Sequence, residues 1–121
     1  GDAVGEAEAQ TIQAKLVVEG ANGPLTPGAD HVLADRGVVV IADVYANAGG
    51  VTCSYLEQCQ NFAHLTWDED EVNARVIDLM RAAFEKFYAF AQESRLPYRL
   101  AASVLGVKTI ADAHRMRGLH P

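Results

Sequence analysis

Basic side chains are scarce in this chain: ten Lys and Arg stand against sixteen Asp and Glu among 121 residues, a formal net charge of -6. That balance disfavours nucleic acid, whose phosphates need clustered Lys and Arg, and it disfavours anionic membrane surfaces likewise. Long apolar runs are missing as well. No stretch is long and uncharged enough to cross a bilayer, and the opening Gly1-Asp2-Ala3-Val4-Gly5-Glu6 has neither the basic head nor the apolar run of a signal peptide. Cysteine is limited to Cys53 and Cys59. On one helix those positions are turned about 240° apart, too distant for a bridge. Neither has a Cys-x-x-Cys or His partner at metal-ligand spacing, so no metal is expected, and free thiols point to a reducing, cytoplasmic setting. The four histidines, His31, His64, His114 and His120, are scattered and read as surface or capping residues. No Ser/His/Asp grouping follows from their spacing.

What is present suits one domain. Hydrophobic content of 50% with charged content of 21% is an ordinary globular composition, and at this length folding hides roughly two thirds of the unfolded surface. Glu6 to Ile12 carries a short helical pattern leading into a sheet. Lys15-Leu16-Val17-Val18 reads as a short buried strand, with Glu19-Gly20-Ala21-Asn22-Gly23-Pro24 as the loop at its carboxyl end. In that loop Asn22 is equally readable as a turn residue with a left-handed backbone. Thr26-Pro27 supplies a capping threonine and an N1 proline for the next helix, which Gly37 stops. Val38-Val39-Val40-Ile41 is β-branched throughout, as expected of a strand buried on both faces of a parallel sheet. Strand, helix, strand over residues 14–41 is a βαβ unit, with too few strands for a freestanding sheet.

The chain turns a corner after Ile41, at Ala42-Asp43-Val44-Tyr45-Ala46-Asn47-Ala48-Gly49-Gly50-Val51-Thr52-Cys53-Ser54-Tyr55. With Asn47 as the N-cap of the following helix, Asn47, Gly50, Val51 and Ser54 share one face through the i, i+3, i+4, i+7 rule. That face offers an amide, bare backbone, a small apolar wall and a hydroxyl, at the strand end where open α/β sheets hold ligands. A tight Gly-Gly connection and a serine bonded to a nearby carbonyl would produce the same letters. Beyond the corner, Tyr55, Leu56, Cys59 and Phe62 are expected to point inward. Asp68 and Glu71 can form a capping box for a helix whose apolar stripe runs Val72, Val76, Met80, Ala83, Phe87, Phe90, widened by Ile77, Phe84, Tyr88 and Ala91. Pro97 restarts the chain in a last helix with Leu100, Val104, Val107 and Ala111 on its stripe, closed by Arg115, Arg117 and Gly118.

Two of these stretches carry a family likeness. Ala14-Lys15-Leu16-Val17-Val18-Glu19-Gly20-Ala21-Asn22-Gly23-Pro24-Leu25-Thr26-Pro27 and Val40-Ile41-Ala42-Asp43 through Gln60-Asn61 resemble the C-terminal part of hexameric-type glutamate dehydrogenases, and the likeness extends from about Gln13 to Gly118. The resemblance implies an α/β fold: the second half of a Rossmann-type dinucleotide-binding domain, comprising the βαβ unit 14–41, a pocket turn and helix at 43–64, and C-terminal helices over 68–118. It implies NAD(P)-linked oxidative deamination of L-glutamate to 2-oxoglutarate and ammonia. In the family the asparagines matching Asn22 and Asn47 lie by the nicotinamide, the valine matching Val51 shapes the substrate side-chain pocket, and the serine matching Ser54 hydrogen-bonds the glutamate side-chain carboxylate. The resemblance also implies a homo-oligomer, a hexamer, for the full protein.

The family's glycine-rich phosphate fingerprint, its ribose-selecting acid and its catalytic lysines and aspartate match nothing in this chain. Gly20-x-x-Gly23 lacks the spacing and context to replace the fingerprint. The expectation is therefore a segment of a larger enzyme, with no catalytic residue of its own and with either NAD or NADP as cofactor. A bare Gly1 fits the same expectation. Two rivals from other classes stand beside it: a non-catalytic interaction module that kept the fold, and a small-molecule sensor using the helix mouth near Asn47.

Overall fold

The computed structural model describes residues 1–118. Its order of elements is α1 (Glu6–Thr11), β1 (Leu16–Val18), α2 (Pro27–Asp35), β2 (Val39–Ile41), α3 (Asp43–Ala46), α4 (Gly49–Ala63), α5 (Glu69–Ser94) and α6 (Tyr98–Arg117). The protein is α/β: β1 and β2 pair in parallel, Leu16 opposite Val39 and Val18 opposite Ile41, and the remaining elements are helical.

The punctuation of the βαβ unit explains why α2 starts and stops where it does. The Thr26 hydroxyl accepts the Ala29 N–H at 3.1 Å, which satisfies one of the orphan donors of the first turn, and Pro27 occupies N1. At the other end Gly37 takes φ +70, its N–H bonds the Ala34 carbonyl and the Val38 N–H bonds the Leu33 carbonyl. That pair of bonds is the Schellman arrangement, and it delivers the chain directly into β2. One core forms beneath: Ala9, Ala29 and Leu33 are buried, with Val17, Val32 and Val40 packed against them. The Arg36 guanidinium reaches back to the carbonyls of Ala9 and Ile12 at the end of α1, where a cation offsets the negative helix terminus.

The sheet is covered on one face only. Leu16, Val18 and Val39 are exposed, so β1 is not the buried strand expected of it, nor β2 the doubly buried strand its β-branched run predicts. The reason is the strand count: the helices described here supply one covering layer, and alternate side chains point the other way. Expectations for α4 also need correction. Its buried stripe is Leu56, flanked by half-buried Thr52, Cys53, Cys59 and Gln60, and this narrow face lies on α5. Tyr55 and Phe62 sit off that stripe and are 58% and 79% exposed. They are apolar without being inward, because spacing decides which face of a helix meets its neighbour.

The Asp68–Glu71 capping box is present, with the Asp68 carboxylate accepting the Glu71 N–H at 2.8 Å. A second core joins α5 and α6 through Phe87, Ala91 and Ala101. On α6 the expected stripe is displaced: Leu100, Val104 and Val107 are exposed, whereas Ala101, Ala102 and Leu105 face the core. The contact sets Ala91, Ala101 and Ala102 among larger side chains, Phe87, Phe90 and Leu105. The turn between them places Arg95 at φ 54, a left-handed position usually taken by glycine.

Candidate functional site

The carboxyl ends of both strands open toward the same place. After β1 the Glu19 N–H still bonds the Ile41 carbonyl at 3.1 Å, and the chain then leaves the sheet as the loop 20–24. After β2 it enters α3, a single turn of helix. Two hydrogen bonds fasten these segments to each other. The Asp43 carboxylate accepts the Gly23 N–H at 2.7 Å, and the Asn47 side-chain amide donates to the Asn22 side-chain carbonyl at 2.6 Å. Asn22 and Asn47 are thus brought together, 25 positions apart in sequence.

Asn47 reaches that position differently from expectation. It is not the N-cap of α4: it closes α3, its own backbone N–H bonding the Asp43 carbonyl at 3.1 Å, and Ala48 precedes Gly49 at the start of α4. Asn47 therefore ends α3 instead of opening the helix that carries Gly50, Val51 and Ser54. The left-handed residue in the β1 loop is Gly23, at φ +54, and not Asn22. Val51 and Ser54 lie on the uncovered face of α4 together with Tyr55 and Phe62; Val51 is 70% exposed, and Ser54 is exposed. Asn22 is exposed and Asn47 half-buried, and the turn 47–48 separates Asn47 from the exposed face of α4.

Sequence patterns give no notice of the groups that hold this corner in place. Glu19 is the buried carboxylate among the described residues, its side chain 0% exposed. It receives both terminal nitrogens of Arg99, at 2.6 and 3.1 Å, and the backbone N–H of Asp43 at 2.9 Å. Arg99 also binds Asp30 on α2, at 3.0 and 3.2 Å. One guanidinium thereby ties the start of α6 to the end of β1 and to α2, in the fork geometry that suits Arg and not Lys. Hydrogen bonding to Glu19, more than any other cause, raises the Arg99 pKa. The Gly23 N–H holds the Asp43 carboxyl below the usual range, with the Val44 N–H and Arg99 acting the same way and burial opposing them. A depressed carboxyl stabilises the fold above its unfolded pKa and loses that contribution as pH falls through the folded value, so this latch is complete at neutral pH. A Glu at the end of an apolar strand is the one local hint; its partner lies 80 residues away.

From its other side α3 is fastened by Tyr45. Its hydroxyl donates to the Met80 carbonyl at 2.9 Å, its ring stacks on Phe87 at 5.7 Å between centroids, and burial raises its pKa. Beside it lies an apolar cavity of about 360 Å³ bounded by α3, α5 and α6, whose lining includes Tyr45, Phe87, Leu105 and Ile110 but none of Asn22, Asn47, Val51 or Ser54. Cys53 and Cys59 are free and half-buried. His31, His64 and His114 are exposed, His64 capping α4, and His120 lies outside the described residues. Among the described residues no group of three or more His, Cys, Asp or Glu could hold a metal ion, and no helix is long and apolar enough to cross a membrane.

The fold is of the α/β class, with a polar amide pair at the carboxyl edge of a small parallel sheet. Comparison narrows the class. The family model for Glutamate/Leucine/Phenylalanine/Valine dehydrogenase matches residues 1–118, and the chain belongs to that family. The NAD-specific glutamate dehydrogenase of Staphylococcus aureus is 45% identical over 113 residues, which are 93% of this chain and 27% of the relative. The crystal structure of glutamate dehydrogenase from Peptoniphilus asaccharolyticus superposes with a TM-score of 0.91 at 38% identity, over 97% of this chain and 30% of that one. A hetero-hexameric glutamate dehydrogenase from Thermus thermophilus, in its Leu-bound form, does so with a TM-score of 0.83 at 32% identity, over 98% and 29%. The chain thus spans under a third of the length of these relatives.

Proposed function

We propose that this chain is the C-terminal segment of an NAD(P)-dependent glutamate dehydrogenase, which interconverts L-glutamate with 2-oxoglutarate and ammonia. The observation that carries the reading is the Asn22–Asn47 pair at the strand ends. With one Asn47 N–H committed to the Asn22 carbonyl, the pair still offers the Asn22 amide donors and the Asn47 carbonyl acceptor. Adjacent donor and acceptor fit a primary carboxamide, such as that of nicotinamide. The cofactor, when bound, supplies the hydride chemistry. The chain's own residues supply placement: Asn22 and Asn47 set the tilt of the nicotinamide, and Val51 and Ser54 locate the glutamate side chain beneath it. Proton transfer belongs to lysines and an aspartate outside this segment.

The finer features of the reading follow together. Residues 14–41, 43–64 and 68–118 form, respectively, the βαβ unit, the pocket turn with its helix, and the C-terminal helices of a Rossmann-type half-domain. The NAD specificity of the Staphylococcus aureus relative makes NAD the first choice over NADP. A hexameric assembly is supported by the Thermus thermophilus structure, and a cytoplasmic location by the free thiols.

A site built to hydrogen-bond a buried carboxylate discriminates strongly when its donor is removed. In the full-length enzyme Ser54→Ala is therefore expected to lower kcat/KM for glutamate by more than about tenfold, with cofactor affinity unchanged. Wild-type glutamate kinetics in that variant would refute the role of Ser54.

A further inference from the structure

The amide pair depends on the relative placement of two short segments: the loop 20–24, whose Gly23 and Pro24 carbonyls accept the N–H groups of Asp2 and Val4, and α3, which Tyr45 ties to α5. The loop 20–24 has no regular structure, and α3 is four residues long. What joins them at one end is the Asn47-to-Asn22 bond. At the other end, one turn of helix away, the Asp43 carboxylate holds the N–H of Gly23, the residue next to Asn22. The two bonds close a ring: Asn22, Gly23, Asp43, along α3 to Asn47, and back to Asn22. Such a ring has little freedom left to twist. If either bond opens, a single side-chain hydrogen bond is left between the loop and α3. Behind the ring, Asp43 is itself anchored, since its backbone N–H donates to Glu19, whose carboxylate is gripped by Arg99.

We propose that Asp43 is a positioning residue for the cofactor amides: by latching the Gly23 N–H it fixes the separation and tilt of Asn22 and Asn47, and Glu19 with Arg99 holds the latch in register. The inference rests on the reading of Asn22 and Asn47 as nicotinamide-side residues. The role assigned to Asp43 is exerted through the ring, by its bond to the Gly23 N–H. The role asks for an acceptor atom at one place. A neutral amide can fill it by turning its oxygen to Gly23, giving up the bond that the second carboxylate oxygen accepts from the Val44 N–H, and a methyl group cannot.

The test is direct titration of NAD, without substrate, into the full-length enzyme and its Asp43→Ala, Asp43→Asn, Asn22→Ala and Asn47→Ala variants, well below their unfolding temperatures. Asp43→Ala is expected to weaken NAD binding about tenfold, the loss of one well-placed hydrogen bond. Asp43→Asn retains an acceptor and is expected to stay within about threefold of wild type, a rescue that general loss of stability would not follow. Should Asp43→Ala fail to assemble, Asp43→Ser, whose hydroxyl is one bond too short for Gly23, replaces it with the same expected loss. Wild-type affinity in folded Asp43→Ala or Asp43→Ser, alongside weakened Asn22→Ala and Asn47→Ala, overturns the role of Asp43 and leaves the parent reading intact. Unchanged affinity in both asparagine variants overturns both.

Discussion

Arg99→Ala is the substitution whose consequence can be worked most completely from the structure. It removes two hydrogen bonds to Glu19 and two to Asp30. The Asp30 side chain is 33% exposed, so water replaces the lost partner and the cost there is that of a surface pair, about 0–1 kcal/mol. Glu19 has no such recourse. Its side chain is fully buried, and the variant leaves it with the Asp43 N–H as its remaining donor. Breaking one side of a buried pair costs about 3–5 kcal/mol, and Glu19 therefore dominates the total. A cost of that size corresponds to about two to three and a half powers of ten in an opening equilibrium, since about 1.4 kcal/mol is a factor of ten. Hydrogen exchange of peptides covering residues 16–24 in the full-length enzyme reads that equilibrium locally. Protection there should collapse by at least about a hundredfold in Arg99→Ala. The double variant Glu19→Gln with Arg99→Met, which leaves no stranded charge, should restore part of it. A loss of less than about fivefold in Arg99→Ala would refute the reasoning, because Glu19 would then be reaching solvent without its partner.

Two further outcomes follow from the packing and the backbone. Leu33→Ala removes a fully buried side chain from the core beneath the sheet and should cost about 2–5 kcal/mol, read as faster exchange across α2 and β2; a cost under about 1 kcal/mol would mean that this core collapses around the gap. His64 caps α4 at φ 53, a conformation that disfavours any residue with a Cβ, so His64→Gly should slow exchange at the end of α4 by a stabilisation of about 1 kcal/mol. Faster exchange in that variant would show that the His64 side chain contributes more than its backbone strain removes.

Local chemistry was legible in the sequence wherever the cause lies within a few residues. Thr26-Pro27 starts α2, Gly37 ends it in the left-handed conformation, and Asp68 with Glu71 forms the capping box. These features depend on backbone groups one turn away. The amide pair was legible only through family likeness, since nothing in the spacing of Asn22 and Asn47 says that two loops meet. Apolar side chains misled for a different reason. Tyr55, Phe62, Leu100 and Val107 read as inward, yet they lie on faces that no described element covers. Hydrophobicity records that a side chain favours burial, and it carries no information about which surface provides it. Least legible of all was Arg99, an arginine at a helix start whose function in the fold depends on a carboxylate at the end of the first strand.

That separation of 80 residues between Glu19 and Arg99 has a consequence for how the polypeptide is made. A ribosome adding about 5–20 residues per second produces the guanidinium roughly 4–16 seconds after the carboxylate. During that interval β1, α2 and β2 can already associate, because every contact between them is short in sequence. Glu19, however, lacks its charged partner until the last helix begins to emerge. The Gly23–Asp43 and Asn22–Asn47 bonds need no residue beyond 47, so a nascent chain halted before Arg99 would carry the corner with the Glu19 carboxylate behind it still lacking its cation.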